Sequence, residues 1–341
     1  MLTPTVFGTF ADAYAAVLRH VLEHHEYRTA GRGKDAWEST NISFRLLDPC
    51  NRSPYLAARR TNIAFNHAEA LWYLTGRDDL DMIGYYAPRL ARLATGQATL
   101  TGTAYGPRLF GASGSDGQSQ FERVLQLLGT DPDSKRAAML IMRPDELVDP
   151  GNPDVACTLG LQFMLRDGRL HLSGYMRGND AVIGLLCDTF SFTFIQEYAA
   201  RQLGVAVGTY THHVGSMHIN VLDIDRVNAM LQEATTTPQQ GFDVEDMPAT
   251  STADLDLVLL HEAALRTNQA QLSPEVAADL PVAGYWQRIL LLFEAYRQIR
   301  HTSDPVTDAV AEALNPGHRW LMSARWPDRL AAAAAPTSRT P

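Results

Sequence analysis

The spacing of apolar residues predicts helices and strands that alternate along the chain. Apolar positions recur at helical intervals over 9–25 and over 62–76, and Gly76 ends the second of these segments. The sequence "NISFRLL" at 41–47 alternates as a strand does, and a turn with Pro49 follows it. Because helical and extended patterns both recur, we expect a mixed α/β fold.

The clearest local signal is a hairpin. Residues 159–176 form two alternating runs on either side of Asp167 and Gly168, a pair of residues typical of a tight turn. A helical pattern follows at about 189–203, and a strand-like segment follows that helix over 207–222. This order predicts an antiparallel pair of strands, a covering helix and one further strand.

The patterns divide the chain into three parts. We expect one α/β catalytic domain over 1–250, and a helical extension packed on it over 251–328, where three amphipathic segments follow one another. The Ala-rich and then Pro/Ser/Thr-rich residues 329–341 have the composition of a disordered tail.

Composition limits the class of partner. The chain has 341 residues, of which 45% are hydrophobic and 20% charged, as in a soluble protein with a large core. A net charge of -9 disfavours a general nucleic-acid or membrane-surface binder but allows a local basic pocket for a small anion. Three cysteines without a CxxC pair disfavour a disulfide framework and a cysteine zinc site. Without a signal segment or an apolar run of about 18 residues, we expect a cytoplasmic protein.

Two residues raise questions about chemistry. Cys157 lies just before the first strand of the predicted hairpin, where a thiol could face a cleft or simply fill the core as a small hydrophobe. Asp188 lies within the otherwise apolar "GLLCDTFSFTF" at 184–194, where an unpaired buried charge would be costly. It could be the N-cap of a helix that begins near Thr189, or it could bind a ligand.

Four short motifs give these residues a context. They are "CTLGLQF" from Cys157 with Gln162, "YMRGND" at 175–180, "GLLCD" at 184–188 and "SMHIN" at 216–220. Further matches are "AEALWYLTG" around Glu69, "AYG" around Tyr105 and "DSKR" at 133–136. In order and spacing, over about 25–225, the chain resembles the thymidylate synthase and pyrimidine hydroxymethylase family, and within it the cytidylate hydroxymethylases. The resemblance implies a large mixed sheet flanked by helices, with the C-terminal helices as an addition.

The resemblance implies a covalent reaction on a pyrimidine nucleotide. Cys157 would add as a thiolate to C6, which turns the poorly nucleophilic C5 into an enamine carbon. Arg177 would supply positive charge beside the thiol, and Glu69 would manage protons and ordered water near the base. Tyr105 belongs to the same catalytic set. The implied co-substrate is 5,10-methylenetetrahydrofolate, met by Asp180 and Gly184, and no metal is implied.

The resemblance also implies a phosphate site that two subunits share. Arginine and lysine side chains suit this role because they present several charged donors. Arg28 competes with Arg32 for one position, since the spacing before "ARR" at 58–60 is the main guide. Lys135 and Arg136 would come from the partner subunit, which implies a homodimer. The implied phosphate residues are Arg32, Arg177, Gly178, Lys135 and Arg136.

The base and sugar positions favour a cytidine nucleotide. Gln162 and Asp188 are the implied base-binding residues, and Asp188 stands where thymidylate synthases carry an Asn that binds uracil. A carboxyl group whose pKa is raised by burial could accept from cytosine N4 and donate to N3. His218 and Asn220 would bind the sugar. Asn220 replaces a Tyr, and with Gly178 and Lys135 it remodels this end of the pocket, so we expect CMP rather than dCMP.

The terminating step distinguishes a methylase from a hydroxymethylase. Thymidylate synthases favour hydride with a wall of the type Ile-Trp-Asp-Glu-Trp, but "IGYYAPRL" at 83–90 contains no tryptophan, and the chain ends in "AAPTSRTP" without the usual closing segment. Water is therefore the expected nucleophile, and modified-base DNA synthesis or nucleoside antibiotic biosynthesis would use the product. The alternatives are a dCMP hydroxymethylase, a dUMP or UMP methylase or hydroxymethylase, a folate-independent Cys-His hydrolase and a catalytically silent nucleotide binder. A zinc hydrolase is disfavoured because the histidines lack the spacing of a zinc motif.

Overall fold

The computed structural model describes residues 3–237 and 241–331, which form a mixed α/β fold as predicted. Its strands are β1 (Thr5–Phe7), β2 (Tyr27–Thr29), β3 (Ala36–Leu46), β4 (Ala138–Leu140), β5 (Thr158–Arg166), β6 (Arg169–Asp180) and β7 (Ala206–Asn220). They form one sheet in the order β1, β3, β7, β6, β5, β4, and β2 pairs with β3. The sheet is mixed, because β6 and β7 run parallel whereas β3 and β7 are antiparallel.

The chain groups into two compact units. The first comprises Met1–Pro54 and Glu69–Leu231 and contains the sheet, and the second comprises Tyr55–Ala68 and Gln232–Pro341. The predicted domains over 1–250 and 251–328 stay predictions. The start of the predicted tail is folded, because Leu330 is buried and Arg329 donates to the backbone oxygen of Gln298. The rest of that tail, 332–341, lies outside the described residues.

The predicted hairpin is confirmed. Arg166 pairs with Arg169 at the closed end of β5 and β6, and two residues connect them. Asp167 and Gly168 both have positive φ, 50° and 68°, as a two-residue turn between right-twisted strands requires. Asp tolerates this left-handed conformation and Gly adopts it without steric cost, so the local sequence determines the register.

Along the chain, helices α1 to α6 lie between strands and α7 follows β7. They are α1 (Phe10–His24), α2 (Ile63–Leu74), α3 (Leu80–Tyr86), α4 (Gly106–Leu109), α5 (Gln120–Thr130), α6 (Gly184–Leu203) and α7 (Ile224–Thr236). The predicted start of α6 near 189 is wrong, because the helix begins five residues earlier at Gly184. Asp180 stabilises the turn that precedes the helix, since its Oδ1 accepts from the backbone N–H groups of Val182 at 2.8 Å and Ile183 at 2.9 Å.

Helix α6 packs against β6 and β7 and forms the core of the first unit. Phe192, Phe194 and Ile195 are fully buried, and each contributes about 1.5–3 kcal/mol relative to an exposed position. The buried amide of Gln196 is paired as well, because its Nε2 donates to the backbone oxygen of Leu170 at 2.8 Å. Because apolar side chains surround this helix, its sequence shows no polar face.

The described part of the second unit contains five helices after residue 250, whereas the sequence predicted three. They are α8 (Thr252–Arg266), α9 (Pro274–Ala278), α10 (Gly284–His301), α11 (Asp308–Ala313) and α12 (Pro316–Arg325). Helices α9 and α11 have five and six residues, too few to show a helical period. Helix α10 carries a buried ion pair, in which Arg297 Nε donates to Glu294 Oε2 at 2.8 Å. Among the described residues no helix has the length and apolarity needed to span a membrane.

Candidate active site

Cys157 and Arg177 are adjacent at the start of β5. The Arg177 Nη2 atom lies 3.7 Å from the Cys157 Sγ atom. The guanidinium is fixed there, because Nε donates to the backbone oxygen of Ala156 at 2.8 Å and Nη2 donates to that of Val155 at 3.1 Å. Cys157 is partly exposed. A fixed positive charge beside an accessible thiol favours the thiolate, which is the nucleophilic form.

Glu69 is a buried carboxyl group on α2. Its side chain accepts a hydrogen bond from Ser191 Oγ at 3.3 Å. Burial raises the pKa of Glu69 to about 7, although Arg89 and the bond from Ser191 oppose the increase. A carboxyl group with a pKa near neutrality can both take up and release a proton at physiological pH.

Asp188 lies on the first turns of α6, inside the helix rather than at its end. The N-cap interpretation is therefore wrong, since α6 begins at Gly184, four residues before Asp188. Burial raises the pKa of the half-buried Asp188 carboxyl well above its usual range, and the nearby negative charge of Glu69 raises it further. A hydrogen bond with Asn179 opposes this increase. This shift favours the protonated form, and a protonated carboxyl group can donate and accept at once.

Tyr105 connects the neighbourhoods of Cys157 and Asp188. Its hydroxyl accepts from Thr158 Oγ1 at 3.1 Å, and its ring stacks on Tyr73 with 5.1 Å between centroids. Burial raises the pKa of Tyr105 well above its usual range, and the charges of Asp188 and Cys157 add to this effect. Tyr105 therefore keeps its proton and remains a hydrogen-bond donor. The structure thus brings together Cys157, Asp188, Tyr105 and, through Asp188, Glu69.

Asp180 and Asn220 contact each other directly. Asn220 Nδ2 donates to Asp180 Oδ2 at 2.7 Å, while Oδ1 accepts from backbone N–H groups of the turn before α6. Asp180 therefore also stabilises this turn. The predicted folate residue and the predicted sugar residue form one hydrogen-bonded pair, so a change at either alters the other.

Strand pairing places further polar residues beside His218. His218 on β7 lies opposite Asp180 on β6 and opposite Glu38 on β3, and Gly178 lies opposite Ser216. The Ser216 hydroxyl donates to the Glu38 carboxylate. Glu38 is a site residue that the sequence did not indicate, because its position depends on the pairing of β3 with β7.

The comparisons with known proteins assign the family. The family model for thymidylate synthase matches residues 12–262. The chain belongs to the thymidylate synthase family. A deoxyuridylate hydroxymethyltransferase of Bacillus phage SP01 is 30% identical over 219 residues, which cover 62% of this chain and 57% of the phage protein.

Two further relatives are a second hydroxymethyltransferase and a thymidylate synthase. A deoxyuridylate hydroxymethyltransferase of Delftia phage PhiW-14 is 28% identical over 247 residues, covering 69% of this chain and 67% of that protein. A thymidylate synthase of Symbiobacterium thermophilum is 28% identical over 227 residues, covering 62% of this chain and 80% of that protein. The chain thus spans a little more than half the length of the phage SP01 relative. The part of the chain that matches the family model ends within α8.

The predicted phosphate-binding residues of this thymidylate synthase family member lie on separate parts of the structure. Lys135 and Arg136 are exposed, and Arg136 forms an ion pair with Asp131 at 3.6 Å. Gln162 supports this loop, because its Nε2 donates to the backbone oxygen of Lys135 at 3.0 Å. The Arg32 side chain lies outside the described part of the structure. The guanidinium of its competitor Arg28 is exposed on β2 and lies over the Trp37 ring, 5.7 Å from its centroid.

Sequence reasoning missed a buried polar cluster behind Asp188. Asn179 is 2% exposed and His212 is fully buried. Asn179 Nδ2 lies 3.2 Å from His212 Nε2, and the Tyr210 hydroxyl lies 2.6 Å from His212 Nδ1. Burial lowers the pKa of His212 to about 3, so the ring is neutral. One signal was available, since Asn179 lies inside the "YMRGND" motif at 175–180.

Proposed function

We propose that this chain adds a hydroxymethyl group to C5 of a cytidine monophosphate, with 5,10-methylenetetrahydrofolate as the one-carbon donor. The membership of the thymidylate synthase family supports C5 chemistry on a pyrimidine nucleotide. The observation that carries the choice of base is the desolvated position of Asp188 beside Glu69, which raises the pKa of its carboxyl group and so favours the protonated form. A protonated carboxyl matches the acceptor N3 and the donor N4 of cytosine, whereas an amide matches uracil.

The reaction begins at Cys157. Its thiolate, held beside Arg177, adds to C6 of the base, and the electron pair moves to C5. Proton donation from Asp188 to N3 stabilises the negative charge that this addition places on the ring. The folate supplies a methylene group at the oxidation level of formaldehyde, to which the nucleophilic C5 forms its new bond.

Two later steps complete the reaction and need a proton acceptor. Loss of the C5 proton breaks the bond between the methylene carbon and the folate nitrogen, so tetrahydrofolate leaves and an exocyclic methylene remains; Glu69 can receive this proton through ordered water because its pKa is about 7. Water then adds to the methylene carbon, and expulsion of the Cys157 thiolate from C6 restores the ring and leaves a hydroxymethyl group. The absence of tryptophan from 83–90 supports water over hydride as the terminating nucleophile.

The sugar and phosphate assignments are part of the same proposal. His218 and Asn220 hold the sugar, and the Gly178 and Lys135 positions favour a ribonucleotide. Arg177 contacts the phosphate with Arg28 or Arg32, and Lys135 and Arg136 complete the site of a partner subunit in a homodimer. The exposure of Lys135 and Arg136 supports this last assignment, because both side chains are accessible to a partner subunit.

A second candidate is hydroxymethylation of dUMP. It is favoured by the names of the phage SP01 and PhiW-14 relatives, both deoxyuridylate hydroxymethyltransferases. The two candidates differ in the base and the sugar, and the hydrogen-bond pattern at Asp188 distinguishes the bases.

A competition assay tests the proposal. CMP, dCMP, UMP and dUMP are supplied at equal concentration with 5,10-methylenetetrahydrofolate, and products are identified by mass spectrometry. We expect a CH2O increment on CMP, and none with Cys157→Ser, which lacks the thiolate. An increment on dCMP would refute only the sugar assignment. An increment on dUMP would favour the second candidate, and a CH2 increment would show methylation.

A further inference from the structure

A chain of buried polar groups runs from Tyr210 to Asp188. Tyr210 and His212 are 0% exposed and Asn179 is 2% exposed, so none of them exchanges hydrogen bonds with solvent. The Tyr210 hydroxyl lies 2.6 Å from His212 Nδ1, and His212 Nε2 lies 3.2 Å from the Asn179 amide. Asn179 Oδ1 and Asp188 Oδ2 both lie beside Gly184, and the Asn179 side chain lowers the pKa of the Asp188 carboxyl group. The four groups therefore follow one another in order.

The neutral His212 ring makes this chain directional. A neutral imidazole carries one N–H, so it donates through one nitrogen and accepts through the other. Within the described residues, the Tyr210 hydroxyl has His212 Nδ1 as its hydrogen-bond partner, and a buried hydroxyl that fails to donate is destabilising. If Tyr210 donates to Nδ1, the ring proton lies on Nε2 and needs an acceptor at Asn179.

The Asn179 amide can supply that acceptor by a half-turn about its last side-chain bond. With Nδ2 toward His212 and toward the Met176 sulfur 2.8 Å away, the buried Oδ1 atom has no hydrogen-bond partner among the described residues. The half-turn gives up the weak bond to sulfur, places Oδ1 on His212 Nε2 and turns Nδ2 toward Asp188, so each end of the amide has a nitrogen or oxygen partner. Amide orientation follows from such networks, because the oxygen and nitrogen ends have nearly the same shape.

We propose that Tyr210, His212 and Asn179 form a one-way donor chain that ends on one oxygen of Asp188 and thereby sets its selectivity for cytosine. The inference rests on the proposed function. The oxygen that accepts from Asn179 is the carbonyl oxygen, which also accepts from cytosine N4. The proton therefore lies on the other oxygen, where it faces N3.

The reverse direction would favour a different base. Asp188 would then donate to Asn179 Oδ1 and present only an acceptor, which suits the N3–H of uracil. Tyr210 and His212 act through Asn179, and they are therefore positioning residues rather than catalytic ones. The direction of the hydrogen bonds along Tyr210, His212 and Asn179 therefore decides which of the two bases Asp188 binds.

The substitution Tyr210→Phe tests the proposal because it removes only the hydroxyl that fixes the direction. Tyr14→Phe is the matched control, since Tyr14 is also fully buried in the first unit and donates to the backbone oxygen of Val182 at 2.8 Å. Dissociation constants of CMP and UMP are measured by calorimetry for both variants and the unaltered protein. We expect Tyr210→Phe to reduce the preference for CMP about tenfold, as loss of one net hydrogen bond does, and Tyr14→Phe to preserve it.

Each outcome supports or overturns the inference. A merely structural role for Tyr210 would weaken CMP and UMP equally, and that result overturns the donor chain. An unaltered protein that prefers UMP, or binds neither nucleotide, overturns the proposed function and the donor chain together. A preference for CMP that Tyr210→Phe leaves unchanged overturns the donor chain alone. If Tyr210→Phe does not fold, Asn179→Leu breaks the next connection and is expected to reduce the same preference.

Discussion

Exchange of Asp188 for Asn is the sharpest test of how this site selects its base. The substitution keeps the shape of the side chain but changes its hydrogen-bonding pattern. An amide always donates through its nitrogen and accepts through its oxygen, whereas a protonated carboxyl group can donate through either oxygen. It also removes the acidic group whose ionised form would repel Glu69. We expect Asp188→Asn to bind and convert uracil nucleotides in preference to cytosine nucleotides.

The size of the change follows from the desolvation of this position. A mismatched base leaves two groups unpaired, N3 and the exocyclic group, and each buried unpaired group costs about 1–3 kcal/mol. Two mismatches at the lower half of that range give about 3 kcal/mol, which corresponds to about a hundredfold change in the ratio of kcat/KM between CMP and UMP.

The assay is release of tritium from C5-labelled CMP and UMP, measured for the unaltered protein and for Asp188→Asn. Glu69→Gln is the matched control, since it changes another buried carboxyl near Asp188 to an amide. We expect the control to lower turnover of both nucleotides without changing their relative binding. A CMP-to-UMP ratio that stays within threefold in Asp188→Asn would show that Asp188 does not select the base.

Three further predictions concern the other charged groups of the site and its interior. Arg177→Lys should slow alkylation of Cys157 by iodoacetamide about tenfold, because a lysine cannot reproduce the two backbone bonds that hold the guanidinium 3.7 Å from Sγ; an unchanged rate would refute this electrostatic role. Because burial raises the pKa of Glu69 to about 7, kcat should fall as pH decreases below 7, where the ionised form is lost. If the pH profile of Glu69→Gln keeps this decrease, the titrating group is not Glu69. His212 has a folded-state pKa of about 3 against an ordinary value of 6.5, so the unfolded chain binds a proton across this window that the folded chain does not. The free energy of unfolding should therefore decrease as pH falls from 6.5, by up to about 1.4 kcal/mol per pH unit from this group, and in His212→Phe denaturant titrations should show a shallower decrease; an equal slope would contradict the assignment.

Local chemistry explains which parts of the fold the sequence could predict. The hairpin of β5 and β6 follows from Asp167 and Gly168, because these two residues accept positive φ and the flanking runs alternate. The start of α6 could not be predicted in the same way. The helix follows a turn that Asp180 stabilises, and Asp180 reaches that position only through the pairing of β6 in the sheet.

The candidate site also combines features that the sequence could predict with features that depend on the folded structure. Motif spacing is a property of the chain, so Cys157, Arg177 and Asp188 could be selected from the sequence, and the first two lie in contact. Burial, in contrast, is a property of the folded protein. The raised pKa of Glu69 and of Asp188 arises from desolvation by surrounding elements, which no single segment encodes.

The sequence by itself determined the order of helices and strands, the family motifs and the residue types available for chemistry, because each depends on neighbours within a few positions. Only the tertiary structure decided which polar groups meet. It brought Asn220 to Asp180, Glu38 to Ser216, and His212 to Asn179, pairs separated by between 33 and 178 residues. The physical reason is that sheet pairing and burial act between distant segments, and they determine both the partner and the protonation state of each group.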